Sequence, residues 1–336
     1  MLTRTSPIPA RLALVLGSGG VKSIAGLGLA QALQAQGLQP DLIVGSSAGA
    51  VFGALIARGD RAEDAVQTAT RLWSRDITSR HRKRGWAELA APQLAGFDEH
   101  FSLRDDSLIN ARLQQAFGDQ RLEDLATPLW VAATDARSGA SVLIQQGRIV
   151  DALRATVALP FLFAPWQIDG RLLIDGSVSD PLPLAAAAHA ETTVALGFEC
   201  PMPRRVDRAS RLATRLLSAL TNNLMHAHIA AADASRCHVL LLQPERRVGL
   251  FDTHEMPAMV ALGHRHGVAL AAAVMANMHA THHATQRAAA ARGIDCANPL
   301  FKVNHARHEP RALGRTGAAS GRVADLAALA TRGAPG

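Results

Sequence analysis

Gly45-Ser46-Ser47-Ala48-Gly49 fits the spacing G-x-S-x-G, with a strand-like run "DLIVG" ahead of it and a helical pattern behind it. In that context a sharp turn lifts the central serine hydroxyl above the sheet edge, where it can attack an electrophile. Gly45 and Gly49 flank the turn because side chains there would clash in tight strand-to-helix packing. Ser47 is therefore a candidate nucleophile. A hydroxyl is weak at neutral pH and needs a base. The candidates are His189, the carboxylates Asp135, Asp169, Asp175 and Asp180, and the C-terminal histidines. His189 lies inside an alanine-rich helical pattern with nothing loop-like around it. Asp175 ends the hydrophobic run "RLLID", so its carboxylate leaves the sheet at the same type of edge as Ser47. An Asp-Gly pair is also a common plain turn.

A second stretch, Gly17-Ser18-Gly19-Gly20-Val21-Lys22, follows the apolar run "LALVL". A phosphate loop needs a glycine immediately before its lysine, but Val21 stands there and the loop is too short. A dinucleotide fingerprint needs its third glycine where Lys22 stands. An oxyanion cradle asks only for free amides ahead of a helix, and Gly19 and Gly20 meet that demand. A tight strand-to-helix turn is the alternative use of the same glycines.

The elements that must position these residues alternate apolar runs with helical patterns, as in a parallel sheet with crossover helices. Strands are expected at 11–16, 41–45, 128–134, 140–145, 171–175, 192–198 and 237–243. Helices are expected at 22–37, 48–59, 148–159 and 181–190, with Gly37 and Gly59 as C-terminal caps. Beyond Cys200 the pattern is mainly helical, and "FDTHEMPAM" reads as a helix entry capped by Asp252 or Thr253. The reading is one α/β domain: a flexible start at 1–10, an α/β unit at 11–200, a mainly helical continuation at 201–300, and a disordered Gly/Ala/Arg/Ser-rich tail at 311–336.

The 336 residues suffice for a well-filled core, and a charged fraction of 19% marks a globular chain. No apolar run approaches the roughly 18–20 residues of a membrane span, and the N-terminal run has neither the length nor the cleavage site of a signal peptide. Three widely spaced cysteines, Cys200, Cys237 and Cys296, suggest no disulfide framework. The expected location is cytoplasmic, with peripheral membrane contact. A net charge of +7 favours anionic partners, and 4% aromatics without tyrosine argue against a stacking platform for nucleic acid. Arg80, Arg82, Lys83 and Arg84 beside Trp86 form either a solvated basic loop or an interfacial patch, with 75–105 as a lid for acyl chains. The histidines, including His226/His228, His264/His266 and His282/His283, make no zinc motif, and no metal site is expected.

Taken together, "GSGGVKS", "GSSAG" and "DGS" resemble, in order, the motifs of the patatin-like phospholipases. The flanking text "LRATVALPFLFAPWQIDGRLLIDGSVSDPLPL" is similar to bacterial members. The resemblance is close over residues 11–200 and looser to about 275. It implies a three-layer α/β fold with a mainly parallel central sheet flanked by helices. It also implies a lipid acyl hydrolase acting on phospholipid or another acyl ester, without metal or organic cofactor. Carried over by motif, Ser47 is the nucleophile and Asp175 its base, hydrogen-bonded directly without a histidine. Amides around Gly19 and Gly20 hold the oxyanion, with Gly17, Ser18, Val21 and Lys22 in the same loop and Gly176 and Ser177 completing the Asp-Gly motif. Ser18, Ser23 and Ser177 depart from the family's usual glycine or alanine. A position needing positive φ would strain a serine, which keeps open a non-catalytic lipid-binding or regulatory protein. An esterase or thioesterase for a soluble substrate is the other alternative.

Overall fold

The computed structural model describes residues 10–246 and 248–291. The first nine residues, Cys296 and the 311–336 tail lie outside the described residues.

A mixed sheet organises the chain. Its strands are β1 (Leu12–Leu16), β2 (Leu42–Ser46), β3 (Leu129–Asp135), β4 (Ser141–Ile144), β5 (Trp166–Ile168), β6 (Arg171–Asp175), β7 (Thr192–Gly197) and β8 (Cys237–Leu241). The order is β5-β6-β3-β2-β1-β7-β8, with β4 also on β3. From β3 through β2, β1 and β7 to β8 every pairing is parallel, whereas β4, β5 and β6 pair antiparallel. The helices are α1 (Ala25–Ala35), α2 (Ala48–Arg58), α3 (Ala62–Leu72), α4 (Lys83–Ala90), α5 (Pro92–Ala95), α6 (Ser107–Phe117), α7 (Ile149–Thr156), α8 (Ala209–Ala231) and α9 (Met256–Ala291).

Side-chain alternation along the strands explains the three layers. Leu12, Leu14, Leu16, Ile43, Leu129 and Val131 face one core with α1, α2, α3, α6, α7 and α9. Their neighbours Ala13, Val15, Leu42, Val44 and Trp130 face a second core closed by Leu182, Leu184 and, from α8, Met225 and Ile229. Because both faces are covered, the central strands read as unbroken hydrophobic runs.

Three sequence expectations are corrected. Residues 181–190 hold only a 3-10 turn, Leu184–Ala187, because Pro181 and Pro183 lack backbone donors and bias their neighbours away from helix. The helix expected from Lys22 begins as a 3-10 turn, Gly20–Ile24, and α1 starts only at Ala25. Finally, Thr253–Met278 is long and apolar enough to cross a membrane by length and composition. Its alanines, valines and methionines outweigh the interrupting His264-Arg265-His266. Here α9 packs on α1 through glycines: a Cβ on Gly28 would stand 2.0 Å from the Val260 carbonyl oxygen, and one on Gly263 2.0 Å from that of Ala25. "FDTHEMPAM" does enter a helix, through a 3-10 turn at Thr253–Glu255 preceded by Asp252.

Candidate active site

β2 delivers Ser47 to the C-terminal edge of the sheet, and α2 leaves immediately after it. The turn holds Ser47 at φ 54°, ψ −131°, a strained conformation for a non-glycine residue. The flanking glycines follow from the space available. A Cβ on Gly45 would lie 2.4 Å from Ala50 Cα, and one on Gly49 2.3 Å from the Leu16 carbonyl oxygen. The N-terminus of α2, the positive end of its dipole, therefore points at Ser47.

β6 runs antiparallel to β3 and brings Asp175 to the same place. Ser47 Oγ donates to Asp175 Oδ2 at 2.8 Å, and the Ser177 N–H donates to the other carboxylate oxygen, Oδ1, at 2.8 Å. The Asp175 N–H is held by the Ala158 carbonyl at 3.0 Å, and its carbonyl accepts from Thr134 Oγ1 at 2.9 Å. Asp175 is fully buried, and burial pushes its carboxyl up to about 6 against the pull of the Ser177 and Ser47 hydrogen bonds. Gly176 is obligatory in this turn, because a Cβ there would meet the Ala132 carbonyl oxygen at 2.3 Å.

Two site residues were not read from the sequence. Thr156, at the end of α7, accepts the Ser47 N–H at 2.8 Å and donates to the Ala132 carbonyl at 2.5 Å. Thr134, on β3, braces the Asp-Gly-Ser turn through the Asp175 carbonyl and Ser179 Oγ. The one available signal was a threonine closing an otherwise apolar helix face in "ALRATVAL".

The glycine loop lies between β1 and α1. The Gly17 N–H is taken by the Leu196 carbonyl at 2.8 Å, that of Ser18 by Pro181 at 2.8 Å, and that of Val21 by Leu250 at 3.2 Å. The N–H groups of Gly19 and Gly20 have no acceptor among the described residues. The departures from the family pattern are accommodated. Of the described non-glycine residues only Ser47, Phe161 and Asp169 have positive φ, so Ser18, Ser23 and Ser177 carry no such strain. Ser23 Oγ closes the loop on the Gly17 carbonyl at 2.9 Å. Lys22 is buried, its Nζ 3.0 Å from the Glu199 carbonyl oxygen and 5.3 Å from the centre of the Phe198 ring. These partners follow the end of β7, away from Ser47 and Asp175. Burial lowers the Lys22 ammonium from its ordinary range.

The other base candidates go elsewhere. His189 is exposed, Asp135 caps the Arg137-Ser138 turn, Asp169 sits in the β5–β6 hairpin, and Asp180 pairs with His228 at 3.0 Å. Cys200 and Cys237 are free thiols. Among the described residues no group of three or more His, Cys, Asp or Glu could hold a metal.

The basic stretch at 80–84 is partly neutralised. Arg84 pairs with buried Glu88 at 2.7 Å and Arg82 approaches the same carboxylate at 3.6 Å. Trp86 and Leu94 are exposed beside it. The segment after α5 lies along residues 159–163: the Leu103 and Arg104 N–H groups donate to the Phe161 and Leu162 carbonyls. Phe97, Phe101 and Phe161 form an aromatic chain with ring centres 4.9 and 6.2 Å apart. This brings the 97–104 stretch close to Ala158, which holds Asp175.

Comparison with known proteins adds to the geometry. A family model described as patatin-like phospholipase matches residues 14–188. An uncharacterized NTE family protein of Mycobacterium tuberculosis is 37% identical over 190 residues, 56% of this chain and 49% of the relative. Patatin-like phospholipase domain-containing protein 6 of Homo sapiens is 30% identical over 189 residues, 55% of this chain and 13% of that protein. The match therefore spans about half the length of the mycobacterial relative. Among solved structures, VipD from Legionella pneumophila aligns at a TM-score of 0.43 and 15% identity, over 78% of this chain and 66% of that one.

Proposed function

Because this chain belongs to the patatin-like phospholipase family, we propose that it is a lipid acyl hydrolase that cleaves carboxylic esters through Ser47 and Asp175. The observation that carries this reading is the 2.8 Å hydrogen bond from Ser47 Oγ to the fully buried Asp175 carboxylate. A lone carboxylate at its ordinary pKa is a poor base. A carboxyl raised to about 6 is matched far better to a proton transfer near neutrality.

In this mechanism Ser47 Oγ attacks the ester carbonyl while its proton passes to Asp175 Oδ2. The oxyanion rests against the Gly19 and Gly20 N–H groups and the positive end of α2, where one donor is worth about 3–4 kcal/mol. Collapse of the tetrahedral intermediate breaks the ester C–O bond, and the leaving alkoxide takes the proton from Asp175. Water then attacks the acyl-enzyme, giving its proton to Asp175. A second collapse releases the carboxylic acid and returns the proton to Ser47. Thr156 acts as a positioning residue, holding the Ser47 backbone in its strained turn. Residues 11–200 form the catalytic unit, and the described residues beyond 200 continue it. The 75–105 segment borders the mouth.

The test is release of fatty acid from phospholipid, or of nitrophenol from a short-chain ester, by wild type beside Ser47→Ala and Asp175→Asn. Turnover retained in either folded variant overturns the dyad. A fluorophosphonate probe that fails to label wild type at Ser47 would favour the lipid-binding alternative. Equal rates on micellar and monomeric substrate would favour a soluble-ester hydrolase.

A further inference from the structure

α8 is divided along its length. Its C-terminal half buries Met225 and Ile229 against the sheet. Its midpoint is tied to the end of β7: Asn222 Oδ1 accepts the Cys200 N–H at 2.7 Å, and Asn222 Nδ2 donates to the Cys200 carbonyl at 3.1 Å. The thirteen residues that precede Asn222 in the helix, from Ala209 on, carry it about 20 Å further, at roughly 1.5 Å per residue. β1, β2 and β7 are mutually parallel, and α8 connects β7 to the parallel β8. Its N-terminal half must therefore project past the edge that carries Ser47.

That projecting half is apolar where it faces away from the protein. Leu212, Leu216, Leu217 and Leu220 are 47–66% exposed. They share one stripe about 140° wide at roughly 100° per residue, with Arg208, Arg211 and Arg215 along one border. Arg204 and Arg205 precede the helix, and Asp207 is the only carboxylate in the 202–220 stretch. An apolar stripe bordered by arginines is the arrangement of a helix lying in a bilayer interface. A second copy of the same face would set arginines against arginines, whereas an anionic bilayer complements them. Asp207 pairs with Arg211 at 3.0 Å and with Arg208 at 3.6 Å, as Glu88 does with Arg84 and Arg82 in the 80–84 stretch. The 202–220 stretch, however, sets five arginines against that one carboxylate beside a continuous leucine stripe.

We propose that the N-terminal half of α8 docks in the plane of an anionic phospholipid bilayer and so presents the Ser47 edge to the membrane surface. The purpose of this docking rests on the lipid-hydrolase reading, but its measurement does not. Binding is measured in Ser47→Ala protein, by co-sedimentation with phosphatidylcholine vesicles with and without phosphatidylglycerol. Leu216→Glu with Leu217→Glu should lower partition onto the anionic vesicles at least about tenfold. Arg204→Gln with Arg205→Gln should lower it about fivefold per residue and flatten its salt dependence. The same substitutions in wild type should leave hydrolysis of a monomeric, water-soluble ester unchanged. Undiminished binding of the leucine variant, or no vesicle binding by the parent, overturns the docking face. A parent dimer that the leucine variant splits would also overturn it, assigning the face to a second copy. Loss of hydrolysis with vesicle binding intact strikes the catalytic reading instead.

Discussion

Replacing Asp175 with asparagine is expected to strengthen the fold while removing the chemistry. Asparagine keeps the shape of the buried group: its carbonyl oxygen can accept the Ser177 N–H, and its amide can donate to Ser47 Oγ, which as a hydroxyl also accepts. What disappears is a charge with no solvent exposure. The Asp175 carboxyl stands at about 6 instead of 3.8. Between those values the folded protein holds a proton that the unfolded chain has released, so wild-type stability falls as pH rises through the window. At about 1.4 kcal/mol per pH unit, the gap amounts to about 3 kcal/mol, the cost of keeping the ionised carboxylate buried above pH 6. The variant is neutral throughout and escapes that cost, while the other titrating groups are common to both proteins and cancel. Urea unfolding followed by tryptophan fluorescence should therefore show a stability gain near zero at about pH 4 that grows to about 3 kcal/mol at pH 8. A variant less stable than wild type at pH 8, or a difference that does not change with pH, would refute the argument.

Ester hydrolysis by wild type should have an acid limb with its midpoint at about 6, falling tenfold per pH unit below it, because only ionised Asp175 accepts the Ser47 proton; a flat kcat/KM profile from pH 4.5 to 8 contradicts this. Thr156→Val leaves the buried Ser47 N–H without its acceptor, at a cost of about 1–3 kcal/mol. It should lower kcat rather than raise KM, with Thr156→Ser restoring the rate; a pure KM effect would reassign Thr156. Ser47→Gly should be more stable than Ser47→Ala by on the order of 1 kcal/mol, since glycine relaxes a turn at φ 54°; equal unfolding midpoints would mean the elbow is unstrained.

Much of the framework was legible because its signals are local. β1, β2, α2 and β6 follow from apolar runs meeting glycine punctuation, and these elements place both Ser47 and Asp175 at strand ends. The 62–117 region was less legible. α4 and α5 span only eight and four residues and are largely exposed, whereas α3 carries a clear amphipathic pattern that was there to be read. β5 has three residues, too few for alternation to register. The 181–190 stretch reads as helix by its alanines, yet Pro181 and Pro183 and the close packing of Leu182 and Leu184 hold it to a single 3-10 turn.

The sequence by itself determined which residues could be nucleophile, base and oxyanion donors, because backbone chemistry demands glycine around Ser47 and the motif order is written along the chain. It could not choose Asp175 over Asp180 or Asp169 without the family likeness, nor find Thr156, which lies 109 residues from Ser47. Those assignments depend on which strand ends converge, and convergence is settled by the pairing of β6 with β3 and of β3 with β2. Burial decided the rest: it places Asp175 where its charge is costly and its basicity raised. Burial also draws Lys22 to β7 and leaves the leucines of α8 facing outward beyond the Ser47 edge.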